Sequence, residues 1–160
     1  MSSKKGFTLI ELLVVISIIG ILATLLMANF FSAAARARDA VRKSDIKQLQ
    51  KALELYSLNL VAPDYPLSNN FPPPKGSCWY APNLNNPNGC PANVTIYMSN
   101  IPADPKAPFT PYFYQRTGQG TYNLCACLEN SADPDGRAGI CPGATAAQCP
   151  SSRRYLINEP

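Results

Sequence analysis

Lys4-Lys5-Gly6-Phe7-Thr8-Leu9-Ile10-Glu11-Leu12-Leu13-Val14-Val15-Ile16 opens an apolar run that continues through Gly20 to Phe30-Phe31. The run from Phe7 to Phe31 is 25 residues long. A helix needs only ~20 apolar residues to cross a bilayer. The run has one glycine, Gly20, and no proline. Backbone groups in lipid must be satisfied within the segment, so a helix is the expected spanning form. Lys4 and Lys5 mark the flank before it as cytoplasmic, which places the chain beyond Phe31 outside. No small-residue cleavage site follows a short apolar core, as a secretory signal peptide would require. Glu11 is the single charge within the run. An intramembrane carboxylate is costly and marks a functional position by default. The plain alternative is a signal anchor whose Glu11 reaches the headgroups.

Helical signals continue past the apolar run. Ala33, Ala34, Ala35, Ala37 and Ala40 are strong helix formers, and neither Gly nor Pro occurs between Ile21 and Ala62. From there the pattern turns amphipathic. Ile46, Leu49, Leu53, Tyr56 and Leu60 advance by three or four residues and share one face. Arg42, Lys43, Lys47, Gln50, Lys51 and Glu54 occupy the remainder, which reads as a solvated face. A continuous helix from near Phe7 to near Leu60 would be roughly 80 Å long. Its second half needs a partner for the apolar stripe.

That partner has to come from the remaining residues, which are loop-rich. The sixteen prolines are concentrated after Val61, and Pro63, Pro66 and Pro72-Pro73-Pro74 end helical structure. A long loop is expected from Tyr65-Pro66 to about Asn93. Short β-type runs follow at Val94 to Met98, Pro111 to Arg116, Gly120 to Leu128 and Tyr155 to Ile157. Thr117-Gly118-Gln119 suits a hairpin between the second and third. Strands after a long helix predict an α+β fold, with a small antiparallel sheet laid on the amphipathic stripe.

Charge and cysteine content narrow the function classes. The formal net charge is +4, but positive and negative residues balance from Leu55 onward, so no nucleic-acid footprint is legible. There is no histidine, which removes Ser/His and Cys/His nucleophilic catalysis. All six cysteines (Cys78, Cys90, Cys125, Cys127, Cys141 and Cys149) lie beyond the membrane segment. An even set on the outer side suggests disulfides. Cys78 and Cys90 are the simplest staple for the long loop. Cys125 and Cys127 would share one face of a strand, so Cys141 and Cys149 are their natural partners. A tetrathiolate zinc site is the competing use of the last four.

Lys4-Lys5-Gly6 followed by Phe7-Thr8-Leu9-Ile10-Glu11 resembles the prepilin cleavage and methylation signature of type IV pilins and type II secretion pseudopilins. The resemblance implies cleavage between Gly6 and Phe7, N-methylation of Phe7, and assembly into a helical filament through the apolar helix. Glu11 of one subunit would meet the Phe7 amine of a neighbour, and the helix would loosen near Gly20. Ala28 stands where many members have proline, which weakens the expectation at Gly20. The implied division is a leader at 1–6, a transmembrane and polymerisation helix at 7–31, its amphipathic continuation at 32–61, and an extracytoplasmic head at 62–160. Implied partners are copies of the chain, the prepilin peptidase and methyltransferase, an inner-membrane assembly platform, and the membrane that holds the precursor.

Later landmarks are similar to those of major pseudopilins: Tyr65-Pro66, Ile101-Pro102-Ala103-Asp104-Pro105, and Ser131-Ala132-Asp133-Pro134-Asp135-Gly136. In that subfamily the last loop binds calcium, which here would fall to Asp133 and Asp135. The acidic pair that usually follows is missing, and Gly139-Ile140-Cys141-Pro142 stands in its place. A disulfide is then the alternative fastening for the loop, and a simple turn is the reading of these residues by themselves. Otherwise no cofactor is expected. Two rival functions compete with the filament: an anchored binding module that never polymerises, and an anchored hydrolase, for which no nucleophile–base set is legible.

Overall fold

The computed structural model describes residues 6–68, 71–106 and 112–159, without the side chains of Leu26, Ala28, Asn29 and Glu159. Of the proposed leader, only Gly6 is among them, and Pro111 of the second β-type run also lies outside. The chain falls into two compact units, residues 1–35 and 36–160. One helical element, α1 (Leu9–Leu58), contributes to both.

α1 starts at a capping box. The Glu11 N–H donates to Thr8 Oγ1 at 3.3 Å, and the Thr8 N–H donates back to Glu11 Oε2 at 2.9 Å. Two donors that a helix start leaves orphaned are thereby satisfied. At the other end Asn59 Nδ2 donates to the Leu55 carbonyl at 3.1 Å, before Pro63 forbids continuation. Taken alone, no single helix among the described residues is long and apolar enough to cross a membrane. The pair Leu9–Leu25 and Phe30–Leu58, with a bend between them, has the length and composition together.

In the second unit the strands form two antiparallel sheets. The first contains β1 (Cys78–Tyr80), β2 (Leu84–Asn86) and β3 (Ile96–Met98) in the order β2-β1-β3. The second contains β4 (Phe113–Gly118), β5 (Thr121–Cys127), β6 (Arg137–Ala138) and β7 (Arg153–Glu159) in the order β4-β5-β7-β6. The fold is therefore α+β. β1 and β2 arise inside the stretch that sequence reasoning leaves as loop. They are three residues each and are embedded among Pro and Asn, so no alternation is visible. The β4–β5 turn passes through Gly120 at φ +68°, a conformation that favours glycine.

The core is layered around β5. Tyr122, Leu124 and Ala126 face Ile46, Leu49, Leu53 and Tyr56 of α1, together with Trp79, Tyr97 and Phe71. Trp79 stacks on Tyr56 with ring centroids 5.4 Å apart and meets Tyr97 at 4.9 Å. An antiparallel sheet usually leaves its other face to water. Here Cys125 and Cys127 on that face are covered by Cys141, Cys149 and Ala144. The segment between β6 and β7 thus forms a third layer.

Candidate functional sites: an apolar helix and a buried charge cluster

In the first unit the large apolar side chains point outward. Leu9 is 81% exposed, Ile16 59% and Phe30 69%. Surface of this kind marks a site meant for lipid or protein. Glu11 lies at its start and accepts a second hydrogen bond, from the Thr8 hydroxyl at 2.7 Å. The carboxylate is thus already hydrogen-bonded within its own chain. Gly20 has open space where a side chain would project.

The second unit contains a different feature. Arg42, on α1, has no solvent exposure. Its guanidinium makes two parallel bonds to Asp104, at 2.6 and 3.0 Å. The remaining terminal nitrogen lies 2.8 Å from both Asp39 and Glu129. Arg38 grips Glu129 with a second fork at 2.8 and 2.7 Å. Asp39 also accepts the backbone N–H groups of Glu129 and Asn130, at 2.9 and 2.8 Å. One turn of α1 therefore fastens the segment that leaves β5. The Arg38 hydrogen bonds and the adjacent Arg42 hold the Glu129 carboxyl down at about 2. Burial raises the Asp45 carboxyl, although it accepts a 2.5 Å hydrogen bond from the Tyr112 hydroxyl.

Immediately beyond this segment, Asp133 and Asp135, the pair that the resemblance assigns to calcium, converge on the Lys43 ammonium. Nζ lies 2.9 Å from both Asp133 oxygens and 2.8 Å from Asp135 Oδ2. Gly136 is packed tightly: a Cβ there would lie 3.1 Å from Leu128 Cδ1 and 3.3 Å from the Asp133 carbonyl.

The six cysteines form three disulfides, Cys78–Cys90, Cys125–Cys141 and Cys127–Cys149. The sulfurs of Cys127, Cys141 and Cys149 do cluster, but as disulfide sulfurs they are not zinc ligands.

The sequence is similar to those of known proteins. Residues 1–27 match the prokaryotic N-terminal methylation motif. Type II secretion system core protein G of Escherichia coli K12 is 36% identical over 137 residues, covering 85% of this chain and 86% of that protein. The chain belongs to the type IV pilin and pseudopilin family. Core protein G of Pseudomonas aeruginosa is 33% identical over 85% of this pilin-family chain and 87% of its own length. The type IV wide pilus major component PilA4 of Thermus thermophilus is 46% identical over 37% of the chain and 45% of its own. No solved structure matches.

The buried cluster of this pilin-family protein is not visible in its sequence. Periodicity puts Arg42 and Lys43 on a solvated face, and both are instead engaged. The local hint is Asp39 preceding Arg42 by three residues, a spacing that puts them side by side on a helix. Asp104 and Glu129 lie far along the chain, and nothing in the sequence links them to Arg42.

Proposed function

We propose that this chain is a structural subunit of a type IV pilus-like helical filament, made as a single-pass precursor in the cytoplasmic membrane with its globular unit outside. On this reading the prepilin peptidase cuts between Gly6 and Phe7 and methylates the new Phe7 amine. An inner-membrane assembly platform then passes the subunit from lipid to filament, where copies join through the Phe7–Phe31 helix. The chain performs no catalysis of its own.

The observation that best supports this is the exposed apolar helix whose one charge, Glu11, follows the Lys4-Lys5-Gly6-Phe7 motif. Cleavage creates an ammonium on Phe7, one helical turn from Glu11. Both charges are costly in an apolar assembly unless paired. Glu11 of one subunit and the Phe7 amine of the next satisfy each other, which fixes axial register while Leu, Ile and Val packing supplies cohesion. Setting register is the best-attested use of a buried ion pair.

A second reading within the same family is the major pseudopilin of a secretion or DNA-uptake machine. The similarity to core protein G over most of the chain favours it.

The test is Glu11→Ala in cells that assemble the filament. Mass spectrometry should find the leader removed and Phe7 methylated, while sheared filament yield falls to background. Normal filament yield would sink the pairing. An uncleaved, unmethylated chain in wild-type cells would instead favour a non-polymerising anchored module. Filaments on the cell surface, as against short periplasmic ones, separate the pilus from the pseudopilus.

A further inference from the structure

Asp133 and Asp135 sit in a loop closed by its own hydrogen bonds. The Asp133 N–H donates to the Asn130 carbonyl at 3.2 Å, the Asp135 N–H to Asp133 Oδ1 at 3.0 Å, and the Gly136 N–H to the Asp133 carbonyl at 3.1 Å. The Asp133 carboxylate is nearly buried, with 8% of the side chain exposed. Two carboxylates brought together in this way need a positive charge between them, and Lys43 is placed to supply it. An ammonium has three donors, and three carboxylate oxygens lie 2.8–2.9 Å from Nζ. Burial opposes the Lys43 charge, but the bonds to Asp135 and Asp133 outweigh it and hold the amine above its ordinary value.

The oxygens around this point do not suit a divalent ion. Calcium takes six to eight oxygens at about 2.3–2.6 Å, and the convergence point here is filled by nitrogen. The Asp133 carbonyl, a natural further ligand, already accepts from the Arg153 guanidinium at 3.0 Å. The Asn130 side-chain oxygen accepts the Ala132 N–H at 3.1 Å. Beyond the loop, Cys141 is tied to Cys125 by a disulfide. Charge balance points the same way. Lys43, which lowers the Asp135 carboxyl most, Lys47, which adds to that effect, and Arg153 outnumber the two aspartates. A divalent cation would enter a locality that is already net positive.

We propose that the Lys43 ammonium is the resident cation of this loop, a charge tethered to α1 that holds Asp133 and Asp135 and makes the globular unit independent of divalent metal. The inference does not rest on the filament reading and would stand for any member of the family with this geometry.

Full-length protein in detergent tests it through hydrogen exchange of residues 129–136 and thermal unfolding followed by Trp79 fluorescence. Wild type should unfold at the same temperature, and exchange equally, in EDTA and in millimolar calcium chloride. Lys43→Met keeps the side-chain stem and removes the charge. It should speed exchange in the loop and lower Tm by on the order of 5 °C, with or without calcium. Asp135→Asn changes the more exposed of the two carboxylates, and should speed loop exchange more mildly. Calcium that raises the wild-type Tm or slows its loop exchange would overturn the proposal. So would a loop whose exchange is unchanged in both variants.

Discussion

Arg42 holds a full charge where water does not reach, and its neighbours make that tolerable. Its four donor contacts go to three carboxylates, so every guanidinium nitrogen has a partner. A buried ion pair of this sort is weak evidence for net stability, but breaking one is expensive, because the surviving charges are left unpaired. Arg42→Met should therefore cost roughly 3–5 kcal/mol, since Asp39, Asp104 and Glu129 would lose their shared cation. Lys51→Met, on the exposed side of the same helix, should stay within about 0.5 kcal/mol of wild type. Denaturant titration followed by Trp79 fluorescence compares the two, and equal midpoints would refute the assignment. The same pair of residues shows what sequence patterning can and cannot reach. Periodicity reports which face is apolar; it does not report which charges on the other face will meet partners folded in from elsewhere.

At the scale of elements, the apolar stripe of α1 is legible as far as Tyr56, while Leu60, expected on it, lies past the helix end at Leu58. Ile46, Leu49 and Leu53 are completely buried, as their three- and four-residue spacing requires. β5 is legible as a strand because Tyr122, Leu124 and Ala126 alternate with Asn123, Cys125 and Cys127. Its second covered face is less so. Cysteine alone suggests that something docks there, and the docked layer is a loop with little periodicity of its own. That layer is attached chiefly by covalent bonds, with few apolar side chains to replace them. Removing Cys127–Cys149 by paired alanine substitutions should cost about 2–5 kcal/mol. It should also raise proteolytic cleavage between Cys141 and Cys149. Unchanged protease resistance would mean that the layer is held by packing. β1 and β2, by contrast, owe their place to contacts made elsewhere in the chain: the Trp79 indole is buried against Tyr56 of α1 and against Tyr97, a long-range outcome that leaves no local mark.

For the molecule as a whole, the charge cluster sets a pH window. The Glu129 carboxyl is held at about 2 in the folded protein, against 4.5 ordinarily. A carboxylate depressed by folding contributes stability that is complete above its unfolded value and is lost as pH falls toward its folded one. Asp135, lowered by the Lys43 bond, acts in the same sense. Asp45, raised by burial, acts in the opposite sense and favours the folded state slightly on acidification. The globular unit should therefore keep its stability from neutrality to about pH 4.5 and lose it steadily toward pH 2. Denaturation midpoints across that range measure it, and a flat profile would show that Glu129 is not held as described.

The strand order β4-β5-β7-β6 also dictates a sequence of events. β4 and β5 are neighbours in the chain and can close as a hairpin as soon as both are present. β6 is made before β7 but has no place in the sheet without it, because its pairing partner is β7 and not β5. On a chain delivered from its amino end, β6 and the loop that carries Cys141 and Cys149 must wait, unpaired, until Arg153–Glu159 inserts beside β5. The sheet is therefore completed across its width, from the β4–β5 hairpin through β7 to β6, and the last-made strand is what locks it.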